Sequence, residues 1–340
     1  MIEAIDTTIL NLLSSSPGYL SGEKIARELN LSRTAIWKRI KKLREEGCSI
    51  TSSRNLGYQL RAIPDKLLPH FVKMGLKTSI IARQVFYYPE VDSTNRKAKL
   101  LAAQGVPDGT LVITEYQTQG QGRLKRKWVS PPGKNLLFSI IFYPPVSPPE
   151  IFQLTLLSSL AVCKSLIATV KINAGIKWPN DIYVTNRKLC GILTEFSATP
   201  DQVNWAVVGI GVNVNFDPSL DSEIGSIATS IKKETGKRWK RLILLQSILE
   251  KMDQLYHQFL SKNVASLREE WLSHSIILGK PVTIIADNVQ EEGIAETIDE
   301  NGALILLTPQ GERKKIIYGD LSLRILNSEP QVCFHENNFR

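Results

Sequence analysis

Cysteine and histidine are scarce, four of each in 340 residues. Cys48, Cys163, Cys190 and Cys333 show no Cys-x-x-Cys spacing, so neither a disulfide framework nor a zinc site is expected. A reducing cytoplasm is the natural setting for such a chain. Without soft ligands, the metal to expect is an oxygen-bound Mg²⁺ arriving with a nucleotide. The opening "MIEAIDTTILNLL" lacks a basic segment leading into an apolar block, which argues against a signal peptide. No long run is free of polar residues. The most apolar one, Ile151 to Val170, carries Gln153 and Lys164 and reads as a buried helix, so no membrane association is expected. Acidic charge is also short: 33 Asp and Glu against 42 Lys and Arg leave a net charge of +9, which favours anionic partners without naming them. Otherwise the composition, 43% hydrophobic and 22% charged, is that of a soluble globular chain long enough for two or three domains.

Residues 1–62 read as helices closed by a hairpin. Ile5, Ile9, Leu12 and Leu13 recur at helical spacing and stop at Ser14-Ser15-Ser16-Pro17-Gly18. Ser21 and Ser32 are placed to cap two short helices, the second carrying Arg33, Thr34, Lys38, Arg39, Lys41 and Lys42. A tight helix pair with a basic second member matches a helix-turn-helix, and the hairpin around Asn55-Leu56-Gly57 suits a wing. Ser32, Arg33, Thr34, Trp37, Lys38 and Arg39, with Arg54 at the wing tip, are the candidate DNA contacts. The lysines supply phosphate affinity, and Arg33 and Thr34 are better placed for bases. A packing module with a solvated basic face is the plainer alternative.

Residues 63–83 read as a linker, since Pro64 and Pro69 discourage one continuous helix. From 84 to 276, strands and helices mix without regular βαβ alternation, which predicts an α+β domain. Residues 277–326 read as short strands with a turn at Asn301-Gly302, suiting a small barrel, and 327–340 as a tail.

Four polar or glycine-rich motifs punctuate the middle region. In "VDSTN", residues 91–95, Asp92, Ser93 or Thr94 either caps the following helix or presents a hydroxyl to a ligand. "EYQTQGQGRLKRKW", 115–128, is no Walker loop, because no Gly-Lys-Ser/Thr follows. Its glycine N–H groups and the cations Arg123, Lys125, Arg126 and Lys127 could surround a triphosphate, or be a solvated basic loop. In "KWPNDIYVTNRKLCG", 177–191, Lys177 and Lys188 with Asp181 suit an anionic reaction centre with Mg²⁺, or merely a turn with surface lysines. "GIGVNVN", 209–215, leaves one face of a strand bare at Gly209 and Gly211, so that a flat group can approach the sheet.

Taken together and in this order, the motifs strongly resemble the biotin protein ligases, and with the helix-turn-helix the chain is similar to the bifunctional ligase-repressor type. The resemblance runs the full length. It implies an N-terminal winged helix-turn-helix, a central class II synthetase-like α+β catalytic domain and a C-terminal SH3-like barrel. It also implies the activity: biotin and MgATP give biotinoyl-5′-AMP, and a lysine of a biotin carboxyl carrier protein of acetyl-CoA carboxylase takes the acyl group. No tightly bound prosthetic group is implied. Operator DNA would be bound by a homodimer formed when the adenylate is present.

By the same resemblance Ser93, Thr94 and Gln117 would hold the biotin ureido ring, with Asn95, Gln121 and Gly122 in the same biotin-facing segments. Gly120 and Arg123 would fold over carboxylate and phosphate. Gly191 and Leu193 would wall the pocket. Arg126 would meet the triphosphate, Trp128 the adenine side, and Asn180 and Asn213 would lie near adenine with Gly209 and Gly211 permitting close approach. Lys188 would bridge carboxylate and α-phosphate, Lys177 would support developing charge, Arg123 would share in catalysis, and Asp181 would bind Mg²⁺. The family loop often reads Gly-Arg-Gly-Arg-x-Gly-Arg, whereas Gln121 and Lys125 stand here at its second and sixth positions. Cys190 reads as a small apolar filler. Two other functions compete: a DNA-binding regulator that only senses a small molecule, and a lipoate-type protein ligase.

Overall fold

The computed structural model describes residues 2–286, 289–317 and 322–325; the tail 327–340, with Cys333, lies outside them. Helices α1 (Ile2–Ser15), α2 (Gly22–Glu28) and α3 (Arg33–Glu45) precede a hairpin of β1 (Ser49–Ser53) and β2 (Gly57–Ala62). Ser21 Oγ accepts the Lys24 N–H at 3.1 Å and Ser32 Oγ that of Ala35 at 3.1 Å, so both serines cap helices by satisfying otherwise orphaned donors. Ile9, Leu13, Ile25, Ile36, Ile40 and Leu43 are buried between the three helices. Arg33, Thr34, Trp37 and Lys38 stay exposed on the outer face of α3, and Arg54 is exposed at the hairpin tip. Arg39 departs from that face: it is only partly exposed and pairs at 3.7 Å with the buried Asp6 of α1, beside Lys42 at 3.0 Å. It is therefore a poor candidate for DNA, because its charge neutralises a buried carboxylate.

The stretch expected to be a linker is built into the core. Helix α4 (Pro69–Lys73) starts with proline at its first turn, where a missing N–H costs nothing. Leu67, Phe71, Val72 and Ile81 are wholly buried. One face of the long helix α8 (Arg241–Leu260) holds this segment along its length. Arg241 bonds the Asp65 carbonyl at 2.9 Å, Gln246 Nε2 donates to the carbonyls of Phe71, Val72 and Met74, and Glu250 accepts the Lys77 N–H at 3.1 Å. Asp253 closes the series by accepting the N–H groups of Ser79, Ile80 and Ile81.

The central sheet has seven strands in the order β3-β4-β5-β9-β8-β7-β6. They are β3 (Val85–Tyr88), β4 (Leu111–Thr114), β5 (Leu136–Phe142), β6 (Gly175–Lys177), β7 (Asp181–Val184), β8 (Arg187–Ala198) and β9 (Val203–Val212). Only β3 and β4 pair in parallel; every other neighbour is antiparallel, so the domain is mixed α+β. Strand β5, "LLFSIIF", is buried along its whole length because helices cover both faces. Helix α5 (Thr94–Ala103) packs Ala98 and Leu101 on Val112, Ile141 and Val207. On the other side lie α6 (Phe152–Ser165) and α8, with α9 (Val264–His274) packed against both; the short α7 (Ile231–Thr235) is tied to the segment after β9, where the Ile231 N–H donates to Asn213 O at 3.0 Å. The segment Pro148–Val170 is long and apolar enough to cross a membrane by composition, but 83% of its apolar window is buried inside the fold.

Strands β10 (Pro281–Ala286), β11 (Val289–Ile298), β12 (Leu304–Leu307), β13 (Arg313–Ile316) and β14 (Ser322–Ile325) form an antiparallel sheet ordered β13-β12-β11-β10-β14. Among the described residues its two edges do not pair, so the sheet is open where a barrel was expected. Its Gly302 turn docks on the central domain, where the Gly302 carbonyl accepts the Trp178 indole N–H at 3.0 Å.

Candidate active site

A cavity of about 490 Å³ opens over β8 and β9, within the size range of small-molecule sites. Its wall gathers segments far apart in the chain: 93–95 at the start of α5, Gln117 after β4, the basic loop 121–129, the 177–181 bend, β7 to β9, and residues 224–228. Of the ligand-site and neighbouring residues singled out in the sequence, Asp92, Lys125 and Cys190 are off the wall, and so is Gly120. Its carbonyl instead accepts the Trp128 N–H at 2.9 Å and closes the base of the loop.

One end of the cavity is neutral and tightly hydrogen-bonded. Ser93 caps α5, its Oγ accepting the Arg96 N–H at 3.4 Å, so it lines the wall and serves the helix at once. Gln117 Oε1 accepts both the Thr94 N–H at 2.7 Å and the Thr94 hydroxyl at 3.0 Å, which turns the Gln117 amide donors away from Thr94. Asn95 Nδ2 donates to the Leu193 carbonyl at 3.2 Å and to Glu195 at 2.8 Å.

The other end is cationic. Arg123, Arg126, Lys127, Lys177 and Lys188 line it, and among the described residues Asp181 is the sole carboxylate on the wall. Lys188 Nζ lies 2.6 Å from Asp181 Oδ1. Lys177 sits 4.7 Å over the ring of Tyr183, whose hydroxyl is pushed up to about 12 by burial and by the Asp181 charge. No cluster of three or more His, Cys, Asp or Glu that could cage a metal occurs among the described residues. A single carboxylate suits a Mg²⁺ carried in by nucleotide phosphates, which needs only one or two protein ligands.

The two strand glycines do not leave a bare face. A Cβ on Gly209 would lie 2.0 Å from Asn95 Oδ1, and one on Gly211 would lie 2.6 Å from the Trp128 indole. The flat group against Gly211 is thus the protein's own tryptophan, whose ring also faces Lys188 Nζ at 5.8 Å. Asn180 and Asn213 line the wall with their amide N–H groups engaged: Asn180 Nδ2 donates to Ile192 O at 2.5 Å and Asn213 Nδ2 to Thr229 O at 3.1 Å. Burial raises the Cys190 thiol far above its ordinary value, as an inert apolar filler requires.

The basic loop forms a short hairpin, with Gln121 facing Lys127 and the Gly122 N–H donating to Arg126 O at 2.8 Å. Leu124 and Lys125 both adopt left-handed backbone, φ 55° and 57°. At Lys125 a side chain in this conformation costs about 1 kcal/mol.

Several wall and support residues carry no local sequence signal. Ile224, Ile227 and Ala228 form a roof strapped to Lys188 by the pair Lys188 N–H to Ile227 O and Thr229 N–H to Lys188 O, each 2.9 Å. Asn135, Ser139 and Glu195 hold the site from behind. An Asn-Asp pair beside proline could point to the 177–181 bend, but nothing local marks these partners.

Family models set this geometry in a class. Residues 87–215 match the biotin/lipoate A/B protein ligase family, residues 6–59 an HTH domain, and residues 277–324 the biotin protein ligase C terminal domain. The chain belongs to the biotin protein ligase family: it is 36% identical over 306 residues to the bifunctional ligase/repressor BirA of Bacillus subtilis, covering 90% of this chain and 94% of that protein. The BirA of Escherichia coli is 30% identical over 90% of this chain and 93% of its own length. A biotin protein ligase from Aquifex aeolicus, solved in complex with biotin and ATP, superposes with a TM-score of 0.62 at 32% identity, covering 72% of this chain and all of that one.

Proposed function

We propose that this chain is a biotin protein ligase that also acts as a biotin-responsive transcriptional repressor. The carrying observation is the polarity of one cavity, a neutral hydrogen-bonding end around Thr94 and Gln117 continuous with an end of five cations against one carboxylate. That shape fits a ligand with an uncharged ring and a carboxylate tail, laid head to tail with a nucleotide triphosphate. In the first step a carboxylate oxygen of biotin attacks the α-phosphorus, forming the acyl-phosphate bond as the bond to pyrophosphate breaks. In the second, a carrier lysine amine attacks the acyl carbon, forms the amide, loses a proton and releases AMP.

Joining two anions demands charge neutralisation in a fixed geometry, which the lysine and arginine side chains supply. Lys188 would lie between carboxylate and α-phosphate, Lys177 would support the developing charge, and Arg123 and Arg126 would hold the loop over the phosphates. Trp128, Asn180 and Asn213, with Gly209 and Gly211 behind, would border the nucleoside. Ser93, Thr94, Asn95, Gln117, Gln121, Gly122, Gly191 and Leu193 would enclose biotin. Mg²⁺ at Asp181 would screen the triphosphate when bound. The lipoate reading is weaker, because a dithiolane ring has no partner for the donors and acceptors of Thr94 and Gln117.

The N-terminal domain, bounded near residue 62, would bind operator DNA through Ser32, Arg33, Thr34, Trp37, Lys38 and Arg54, and a homodimer would form when the adenylate is present. The carrier partner would be the biotin carboxyl carrier of acetyl-CoA carboxylase, and the setting the cytoplasm. The middle domain would run to about 276, and the open C-terminal sheet would be an SH3-like module. The deciding measurement is formation of biotinoyl-AMP from biotin and MgATP by purified protein. Its absence would leave a regulator that only senses a ligand.

A further inference from the structure

Behind the neutral end of the cavity, four oxygens stand in a row. Gln117 Oε1 lies 3.0 Å from Thr94 Oγ1, Thr94 Oγ1 lies 2.8 Å from Ser139 Oγ, and Ser139 Oγ lies 2.7 Å from Asn95 Oδ1. The two ends are carbonyl oxygens and only the two middle groups carry a proton. Three hydrogen-bond contacts therefore share two hydrogens, and one contact of the row lacks its hydrogen.

Neither end can turn to supply the missing hydrogen. The Gln117 carbonyl is fixed by the Thr94 backbone N–H at 2.7 Å. Rotating the Asn95 amide would place Nδ2 against Ser139 and complete the row. It would also put Oδ1 against Leu193 O and Glu195 Oε2, which now receive Nδ2 at 3.2 and 2.8 Å. Glu195 is in turn held by Lys99 at 2.6 Å, so its carboxylate offers Asn95 acceptors only. Gly209 leaves the room in which the Asn95 amide lies, since a Cβ there would come within 2.0 Å of Oδ1.

We propose that Glu195, backed by Lys99, is a positioning residue that sets the hydrogen-bond polarity of this wall by locking Asn95 with its carbonyl toward Ser139. Whichever way the Ser139 proton points, Thr94 Oγ1 or Asn95 Oδ1 is left as an acceptor, and both residues line the cavity. The wall thus requires an N–H from the ligand there, next to the Gln117 amide, which offers donors to a carbonyl. A ring bearing N–H beside C=O, a cyclic urea, satisfies both. A ring with oxygen in place of that N–H leaves the acceptor unpaired. The inference rests on the ligase reading above and adds the residue that enforces ring selectivity.

The test compares binding of biotin with binding of the cyclic carbamate in which oxygen replaces one ureido N–H at a time, by calorimetry on the full chain. Wild type is expected to favour biotin over at least one carbamate. In Glu195→Gln that preference should fall about tenfold, the factor of one neutral hydrogen bond, because the Asn95 amide can then rotate. The double variant Asn95→Asp with Glu195→Gln, which restores an acceptor toward Ser139, should recover the preference. General damage would weaken both ligands alike and leave their ratio unmoved. An unchanged ratio in Glu195→Gln overturns the proposal. If Glu195→Gln binds neither ligand, the double variant decides: recovered preference supports the lock and none overturns it. Wild type that binds no biotin would instead overturn the ligase reading.

Discussion

Lys188 and Asp181 meet at 2.6 Å across the β7–β8 hairpin, a cation and a carboxylate joined on the wall of the cavity. In the proposed reaction Lys188 would exchange this partner for substrate oxygens, and its charge would count most in the transition state. Lys188→Ala is expected to slow biotinoyl-AMP formation by about 10²–10³-fold, the scale of losing one preorganised electrostatic group. Asp181→Asn should raise the Mg²⁺ concentration needed for half-maximal rate while leaving biotin affinity unchanged. Pyrophosphate release as a function of Mg²⁺ reads both variants, and equal Mg²⁺ dependence in wild type and Asp181→Asn would remove Asp181 from metal binding.

Gly209 and Gly211 are two residues apart on β9 but press on different partners, Asn95 and Trp128. Alanine at each should therefore split the two substrates. Gly209→Ala displaces the Asn95 amide and is expected to weaken biotin binding at least tenfold, with a smaller change for ATP. Gly211→Ala pushes the indole off the sheet and should weaken ATP in the same measure, with biotin less affected. Separate titrations of each ligand check this. A uniform loss in both variants would mean that the sheet itself had been disturbed.

What the sequence disclosed divides along a physical line. Serine caps at Ser21 and Ser32, the buried run of α6 and the motif segments around the cavity all depend on local pattern, and local pattern is what a sequence displays. The clamp of α8 on residues 65–81 does not, because Arg241, Gln246, Glu250 and Asp253 meet partners more than 170 positions away. Residues 63–83 read as a linker in which Pro64 and Pro69 discourage one continuous helix, whereas Leu67, Phe71 and Val72 are buried in the core. Ser139 is the one polar residue of β5, and nothing local marks Glu195. Their importance lies in the oxygens they face across the sheet. Glycine on alternate strand positions did mark a close approach, but not whether ligand or protein makes it.

Lys38 and Arg39 are neighbours on α3 with opposite expectations. Lys38 is exposed, so Lys38→Ala should weaken DNA binding across sequences and lessen the slope of log affinity against log salt by about 1. Arg39 neutralises Asp6, and its replacement by alanine should lower the stability of the chain by about 1–2 kcal/mol, since Lys42 remains to pair the carboxylate. Fluorescence anisotropy in graded salt and urea unfolding separate the two effects. A salt slope altered by Arg39→Ala as strongly as by Lys38→Ala would return Arg39 to the DNA face.

Asp253 ties the end of the connector to α8, and its bonds make that tie depend on pH. Burial alone would raise its carboxyl, but the N–H groups of Ile81, Ser79 and Ile80, with the Ser79 hydroxyl, outweigh burial and hold it below the ordinary value. The folded chain therefore binds this proton less readily than the unfolded chain. Stability rises with pH wherever the unfolded state holds more protons, so the contribution is complete above the unfolded value near 3.9 and is lost as pH falls through the lower folded value. Asp253→Asn keeps one acceptor for Ile80 and Ile81 and loses the other, which serves Ser79. It should cost about 2 kcal/mol at pH 7, with the gap to wild type closing below pH ~4. Urea midpoints from pH 7 down to pH 3 give the comparison, and a gap that stayed constant over that range would mean that the Asp253 charge plays no part in holding the connector.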